Sequence, residues 1–163
     1  MRQGLQKRTL YAAGKFAALA LIVLIIVRMA ASDRVSRTGF SAMTDAVTAD
    51  FQTDHVLEGQ AQMVRRLYGL DPSAYDGVLL YYPGTNMDCE ELFLVKLKST
   101  DQQDEVRAAI ESRKSTQLDN FNGYGTYQYG MLQQSVTEID GNYCLFVCAD
   151  NADTIKQDFL KAL

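Results

Sequence analysis

The chain has 163 residues, of which 47% are hydrophobic, 10% aromatic and 22% charged, with a formal net charge of −4. That composition excludes a disordered tail, and an acidic balance without a basic stripe excludes a nucleic-acid binder, which needs Lys and Arg to displace counterions. The charge is divided along the chain: residues 1–37 hold seven Lys/Arg against one acid, net +6, whereas residues 38–163 hold nine against nineteen, net −10.

Residues 1–9 form a basic tail. They lead into FAALALIVLIIV, an unbroken apolar run over residues 16–27. Residues 10–14 and 29–31 extend the run, and Lys15 and Arg28 sit where long side chains snorkel to an interface. Residues 10–31 therefore read as a transmembrane anchor, about 33 Å long as a helix. A cleaved signal peptide also has a basic start and a short apolar core. Cutting after Ala30 or Ala31, however, would place Arg28 or Met29 where a small residue is wanted, so an uncleaved single-pass anchor is expected. No Cys follows the run, which excludes a lipid-modified N-terminus. Arg2, Lys7, Arg8 and Lys15 precede the span, and Arg28, Arg34 and Arg37 follow it. That bias, and the suitability of a basic tail for an anionic inner leaflet, place the tail in the cytoplasm and the acidic domain outside the cell membrane. A cytoplasmic-facing tether is the alternative.

After a polar linker over residues 32–38, one α+β domain is expected over residues 39–163, long enough to bury a core. Phe40, Met43, Val47 and Phe51 recur at helical spacing. A second helix is expected from about Asp54, with Leu57, Ala61, Val64, Leu67 and Tyr68 on one face and Gly69 past its end. Asp71-Pro72 suits a single helical turn. The pattern then turns to strands: GVLLYY at 77–82, stopped by Pro83-Gly84, and ELFLVKLK at 91–98. Asp101 is expected to cap a long helix holding Val106, Ile110, Leu118 and Phe121 on one face, with Gly123 ending it. Residues 123–130, GYGTYQYG, carry three glycines and read as a loop. A hairpin follows, 136–139 and 143–149, turned at Asp140-Gly141-Asn142. A last helix starts at Asn151 or Asp153, with Ile155, Phe159, Leu160 and Leu163 apolar. The ββα-ββα pattern predicts a four-stranded, mostly antiparallel sheet with helices on one face.

No residue set specifies a reaction. His55 is the one histidine, so a histidine-based metal site or triad lacks partners. Asp88, Glu90 and Glu91 cluster without Ca²⁺-loop spacing. No phosphate loop is present, because Gly123, Gly125 and Gly130 follow a helix and do not open one after a strand. No metal or cofactor is expected. Cys144 and Cys148 share a strand face roughly 13 Å apart, too far to bridge. Cys89 pairs with one of them only if the fold brings them together, and all three read as small buried hydrophobes. The candidate partner-binding surface is aromatic and polar: Tyr81, Tyr82, Asn86 and Met87 near the first hairpin, with Tyr124 and Tyr127 after the long helix. Rigid rings with hydroxyls at the rim suit peptide or carbohydrate recognition.

The segments YGLDPSAYDGVLLYYPGTNMDCEELFLVKL and FNGYGTYQYGML and the DGNY turn, in that order and spacing, resemble the bacterial domain of unknown function 4358 family, from about Leu57 to the C-terminus. The resemblance implies a domain common in Firmicutes, in lipoproteins or single-span proteins with the domain outside the membrane. It carries no activity. Some members resemble accessories encoded near membrane O-acyltransferases of envelope polysaccharide. Members often have an acidic or aliphatic residue where this chain has Cys89, so no required thiol is implied there, and the anchor here lacks a lipobox Cys. The function expected is a membrane-anchored extracytoplasmic binding or scaffolding module, without enzymatic activity, that takes a protein or envelope-glycan partner. An enzyme of unfamiliar type using Asp88, Glu90 or a Tyr as acid or base is the alternative.

Overall fold

The structure, a computed structural model, describes residues 35–163 and, ahead of them, Lys15, Leu19 and residues 21–23. Two compact units divide the chain, Met1–Arg34 and Val35–Leu163. In the first, the five described residues are helical and exposed. Most of the span expected over residues 10–31 lies outside the described residues. Among the described residues, no helix is long and apolar enough to cross a membrane.

The second unit is an α+β domain. In chain order it comprises α1 (Phe40–Thr48), β1 (Val56–Glu58), α2 (Ala61–Tyr68), a 3-10 turn (Pro72–Ala74), β2 (Gly77–Pro83) and β3 (Glu91–Lys96). A second 3-10 turn (Thr100–Gln102) leads into α3 (Gln103–Phe121), followed by α4 (Thr126–Gln134), β4 (Val136–Asp140), β5 (Tyr143–Cys148) and α5 (Ala152–Ala162). All strand pairs are antiparallel, in the order β1-β2-β3-β5-β4.

The sheet therefore has five strands where four were expected. The extra one is β1, whose Val56, Leu57 and Glu58 lie opposite Pro83, Tyr82 and Tyr81. Leu57 completes an i, i+4 series with Ala61, and that spacing placed it on a helix. The structure instead breaks the segment at Gly59, whose N–H donates to the Leu80 carbonyl at 2.8 Å. A Cβ at Gly59 would meet Leu80 Cδ2 at 2.6 Å, so this close backbone approach needs glycine. The helix begins only at Ala61.

Helices cover both faces of the sheet, not one. Strands β3 and β5 are buried almost throughout, because ELFLV and YCLFVC carry apolar side chains toward both faces. Phe93, Val95, Cys144, Phe146 and Cys148 pack with Val64 and Tyr68 of α2, Val106, Ile110 and Phe121 of α3, and Leu132 of α4. On the other face Leu92, Leu94, Tyr143, Leu145 and Val147 meet Met43 and Val47 of α1 and Ile155 and Phe159 of α5. The ββα pattern is thus no spatial repeat, since α3 and α5, the helices that close its two halves, lie on opposite faces.

The expected loop over residues 123–130 is also corrected. Gly123, at φ 91°, and Gly125 turn the chain after α3, and α4 then takes Gly130 into its interior. Asp101 is not the cap of the long helix. Ser99 caps the 3-10 turn that precedes it, accepting from the Asp101 N–H at 3.3 Å, while the Gln102 side chain reaches back to the Ser99 N–H.

Residues of the expected linker are tied down. Ser36 N–H donates to Asn142 Oδ1 at 2.8 Å, and Ser36 Oγ donates to the Leu163 carbonyl at 3.1 Å. The Thr38 hydroxyl donates to the Ala162 carbonyl, and the Thr38 carbonyl accepts from Lys96 Nζ at 3.0 Å and Tyr143 Oη at 2.8 Å.

Candidate functional site

Strand β2 ends at Pro83, and an exposed connection, residues 84–87, carries the chain toward β3. Helix α3 runs back from the opposite end of the sheet, so its second half reaches the same place. Between them, with α2 as the third wall, lies an open cleft of about 480 Å³. Met63, Leu67, Tyr82 and Pro83 give it apolar surface; Thr85, Asn86, Gln117 and Asn120 give it amides and a hydroxyl; Arg66, Arg113 and Asp88 bring charge; Tyr124 stands at its margin.

The floor is built on a buried carboxylate. Glu91 is 1% exposed and accepts from Arg113 through Nη2 at 2.6 Å and Nε at 3.1 and 3.2 Å. It also accepts from the Tyr68 hydroxyl at 2.5 Å, while the Tyr68 ring stacks on Phe93 with centroids 3.8 Å apart. Burial, and then the Glu91 charge and hydrogen bond, push the Tyr68 hydroxyl well above its ordinary pKa, so it stays a donor. Burial alone would lower the Arg113 pKa, but the hydrogen bond and charge of Glu91 raise it. Arg113 therefore holds its charge at the base of the cleft with Glu91 balancing it.

One helical turn on, Gln117 is buried at 7% exposure and lines the cleft, and among the described residues its amide has no hydrogen-bond partner. Its polar atoms are not sealed from solvent: among the described residues the one buried side-chain polar atom without a partner is Thr44 Oγ1. An amide left open toward a cleft is a position from which a ligand can be held.

The sequence candidates divide between cleft and elsewhere. Tyr82, Asn86 and Tyr124 line the cleft. Tyr81 points to the other face of the sheet, where its ring lies 5.9 Å from that of Phe51, because adjacent strand residues alternate faces. Met87 is exposed outside the cleft, and its carbonyl accepts from Gln128 Nε2 at 3.1 Å. Tyr127 is also exposed and donates to Asp150 Oδ2 at 2.6 Å, a bond that pushes its hydroxyl pKa up to about 12.

The acidic run is split three ways. Glu91 is buried in the ion pair. Asp88 lines the cleft, but its Oδ1 accepts from the Cys89 and Glu90 N–H groups at 2.7 and 3.4 Å. Glu90 does not line the cleft, so the two carboxylates weighed as an acid–base pair do not meet there. Among the described residues no group of His, Cys, Asp and Glu is placed to hold a metal ion. His55 is exposed in the turn before β1.

Arg113, Gln117 and Asn120 were missed as site residues because they read as the solvated side of a charged helix. The signal was an interruption: the apolar stripe Val106, Ile110, Phe121 passes through positions 113 and 117, where polar residues stand.

These features define an antiparallel sheet covered on both faces, with an open, polar-and-aromatic cleft at one end. The chain belongs to the family described as Domain of unknown function (DUF4358), whose model matches residues 48–149. Every residue lining the cleft falls inside that match. No curated protein and no solved structure shows a significant match to the chain.

Proposed function

We propose that the domain is a binding module whose cleft holds an uncharged, hydroxyl-rich ligand, a segment of glycan. The open Gln117 amide carries the reading, and its neighbours support it. Arg113 is already answered by Glu91, and the rim sets one cation, Arg66, against one anion, Asp88. A strongly anionic ligand therefore meets no unbalanced cation on the floor. Amides and guanidinium N–H groups beside Tyr82 and Tyr124 suit hydroxyls on one side and the flat apolar face of a sugar ring on the other. Placement outside the cell membrane, and a role accessory to polysaccharide modification, are part of the same proposal. They rest on the apolar run at 16–27, the charge asymmetry and the family resemblance.

The test is calorimetric titration of the protein with a panel of neutral oligosaccharides and, in parallel, short uncharged peptides. Binding of an oligosaccharide should be lost in Gln117→Leu and weakened about tenfold in Tyr124→Ala, the usual scale for losing one stacking or hydrogen-bonding group. Both variants should keep the parent melting temperature. Binding of peptides alone would overturn the choice of glycan. Unchanged affinity in both variants would move the site away from the cleft.

A further inference from the structure

We propose that Cys89 and Cys148 are a disulfide-forming pair, which an external disulfide oxidant closes into a bond that clips the 84–90 connection to the inner strand β5. The two residues lie 59 positions apart in sequence, yet their sulfurs stand 3.9 Å apart in the core. The register explains why. Glu91 lies opposite Cys148, and Cys89, two residues ahead of Glu91 and just before β3 begins, packs in the same core cluster as Cys148. Diagonal neighbours on paired strands stand roughly 7–8 Å apart, wider than a disulfide favours, so the bond needs the backbone to move. Cys89 lies outside the ladder, in the connection ahead of β3, where that movement is available, and the two side chains already bring their sulfurs to 3.9 Å. Cys144 does not compete. It is four residues from Cys148 along β5, roughly 13 Å away.

Access differs between the two partners. Cys89 is the first buried residue after the exposed residues 84–87, so local opening of that connection uncovers it. Cys148 ends β5, hydrogen-bonded in the sheet beside β3. Its thiol donates to Cys89 Sγ, and that bond, with burial, keeps it protonated. Cys89 is accordingly the entering thiol and Cys148 the resolving one. The Cys89 thiolate attacks a small-molecule disulfide, breaking its S–S bond and releasing one thiol. Cys148 then attacks Cys89 Sγ in the mixed disulfide and expels the second thiol. Two protein thiols are oxidised, one external disulfide is reduced to two thiols, and the protons leave with them. Met131 Sδ, 3.7 Å from Cys89 Sγ, backs the pair from α4. None of this depends on the ligand proposed for the cleft.

The full chain is incubated with oxidised glutathione, alkylated under denaturing conditions, digested without reductant and mapped by mass spectrometry. A peptide carrying Cys89 should be joined to one carrying Cys148, with Cys144 alkylated. The link should persist in Cys144→Ser and vanish in Cys89→Ser and in Cys148→Ser. The oxidised chain should melt several degrees above the reduced one, because the bridge closes a long loop in the unfolded state. Three alkylated thiols after prolonged oxidation would overturn the proposal. So would a bond to Cys144, a bond between molecules, or a lower melting temperature on oxidation.

Discussion

Glu91 is the residue on which the cleft rests, and its replacement separates its structural work from any role toward a ligand. Glu91→Gln leaves Arg113 charged, 11% exposed and without its counter-ion. Breaking a buried pair from one side costs about 3–5 kcal/mol, and hydration of Arg113 through the open cleft favours the lower figure. Urea denaturation should show that loss, and Glu91→Gln combined with Arg113→Met should recover part of it. A midpoint unchanged in the single variant would mean that water replaces the carboxylate. At this scale the sequence was half legible. Tyr82, Asn86 and Tyr124 follow from aromatic and turn-forming residues gathered near chain reversals. Tyr81 was misplaced because one step along a strand changes the face. Gln117 and Arg113 were passed over because a polar residue on a charged helix reads as facing water, and only the break they make in the apolar stripe sets them apart.

Helix α4 shows how an element escapes its own composition. Three glycines in eight residues argue against a helix, yet Gly123 and Gly125 lie before it, and only Gly130 is inside. A Cβ at Gly130 meets nothing within 4 Å, and its φ is not positive. Gly130→Ala should therefore stabilise the domain by about 0.5–1 kcal/mol through helix propensity, measured as a higher urea midpoint. Destabilisation would show that the position needs glycine for a reason other than backbone freedom. The long strands, the 140–142 turn and the last helix were legible because several turns or alternations agree. The three-residue β1 was not, because its only marker, Leu57, also fits the helix that follows. That helices cover both faces was written in the unbroken apolar runs of β3 and β5. The ββα pattern overrode it, since a repeat in sequence suggests a repeat in space.

For the whole domain, the entry segment counts as structure. A chain beginning at residue 35 keeps the bonds of Ser36 and Thr38. One beginning at residue 40 leaves Lys96 Nζ and the buried Tyr143 hydroxyl without their shared acceptor. The shorter chain should be less stable by about 2–4 kcal/mol, the cost of two or three such bonds with one donor left buried. Comparing the urea midpoints of the two fragments checks this, and equal midpoints would make the segment a passenger.

The same clamp decides what can be attached where. Residues 36–38, Asn142 and Leu163 gather beside Lys96, which pairs with Gly77, while the cleft opens beyond Pro83 at the other end of β2. Those ends are about 20 Å apart at roughly 3.3 Å per residue. A tag fused after Leu163 is therefore attached at the end of the domain away from the mouth. Immobilising the domain through Leu163 should leave the mouth of the cleft open to solution, whereas a tag placed on the 84–87 connection would obstruct it.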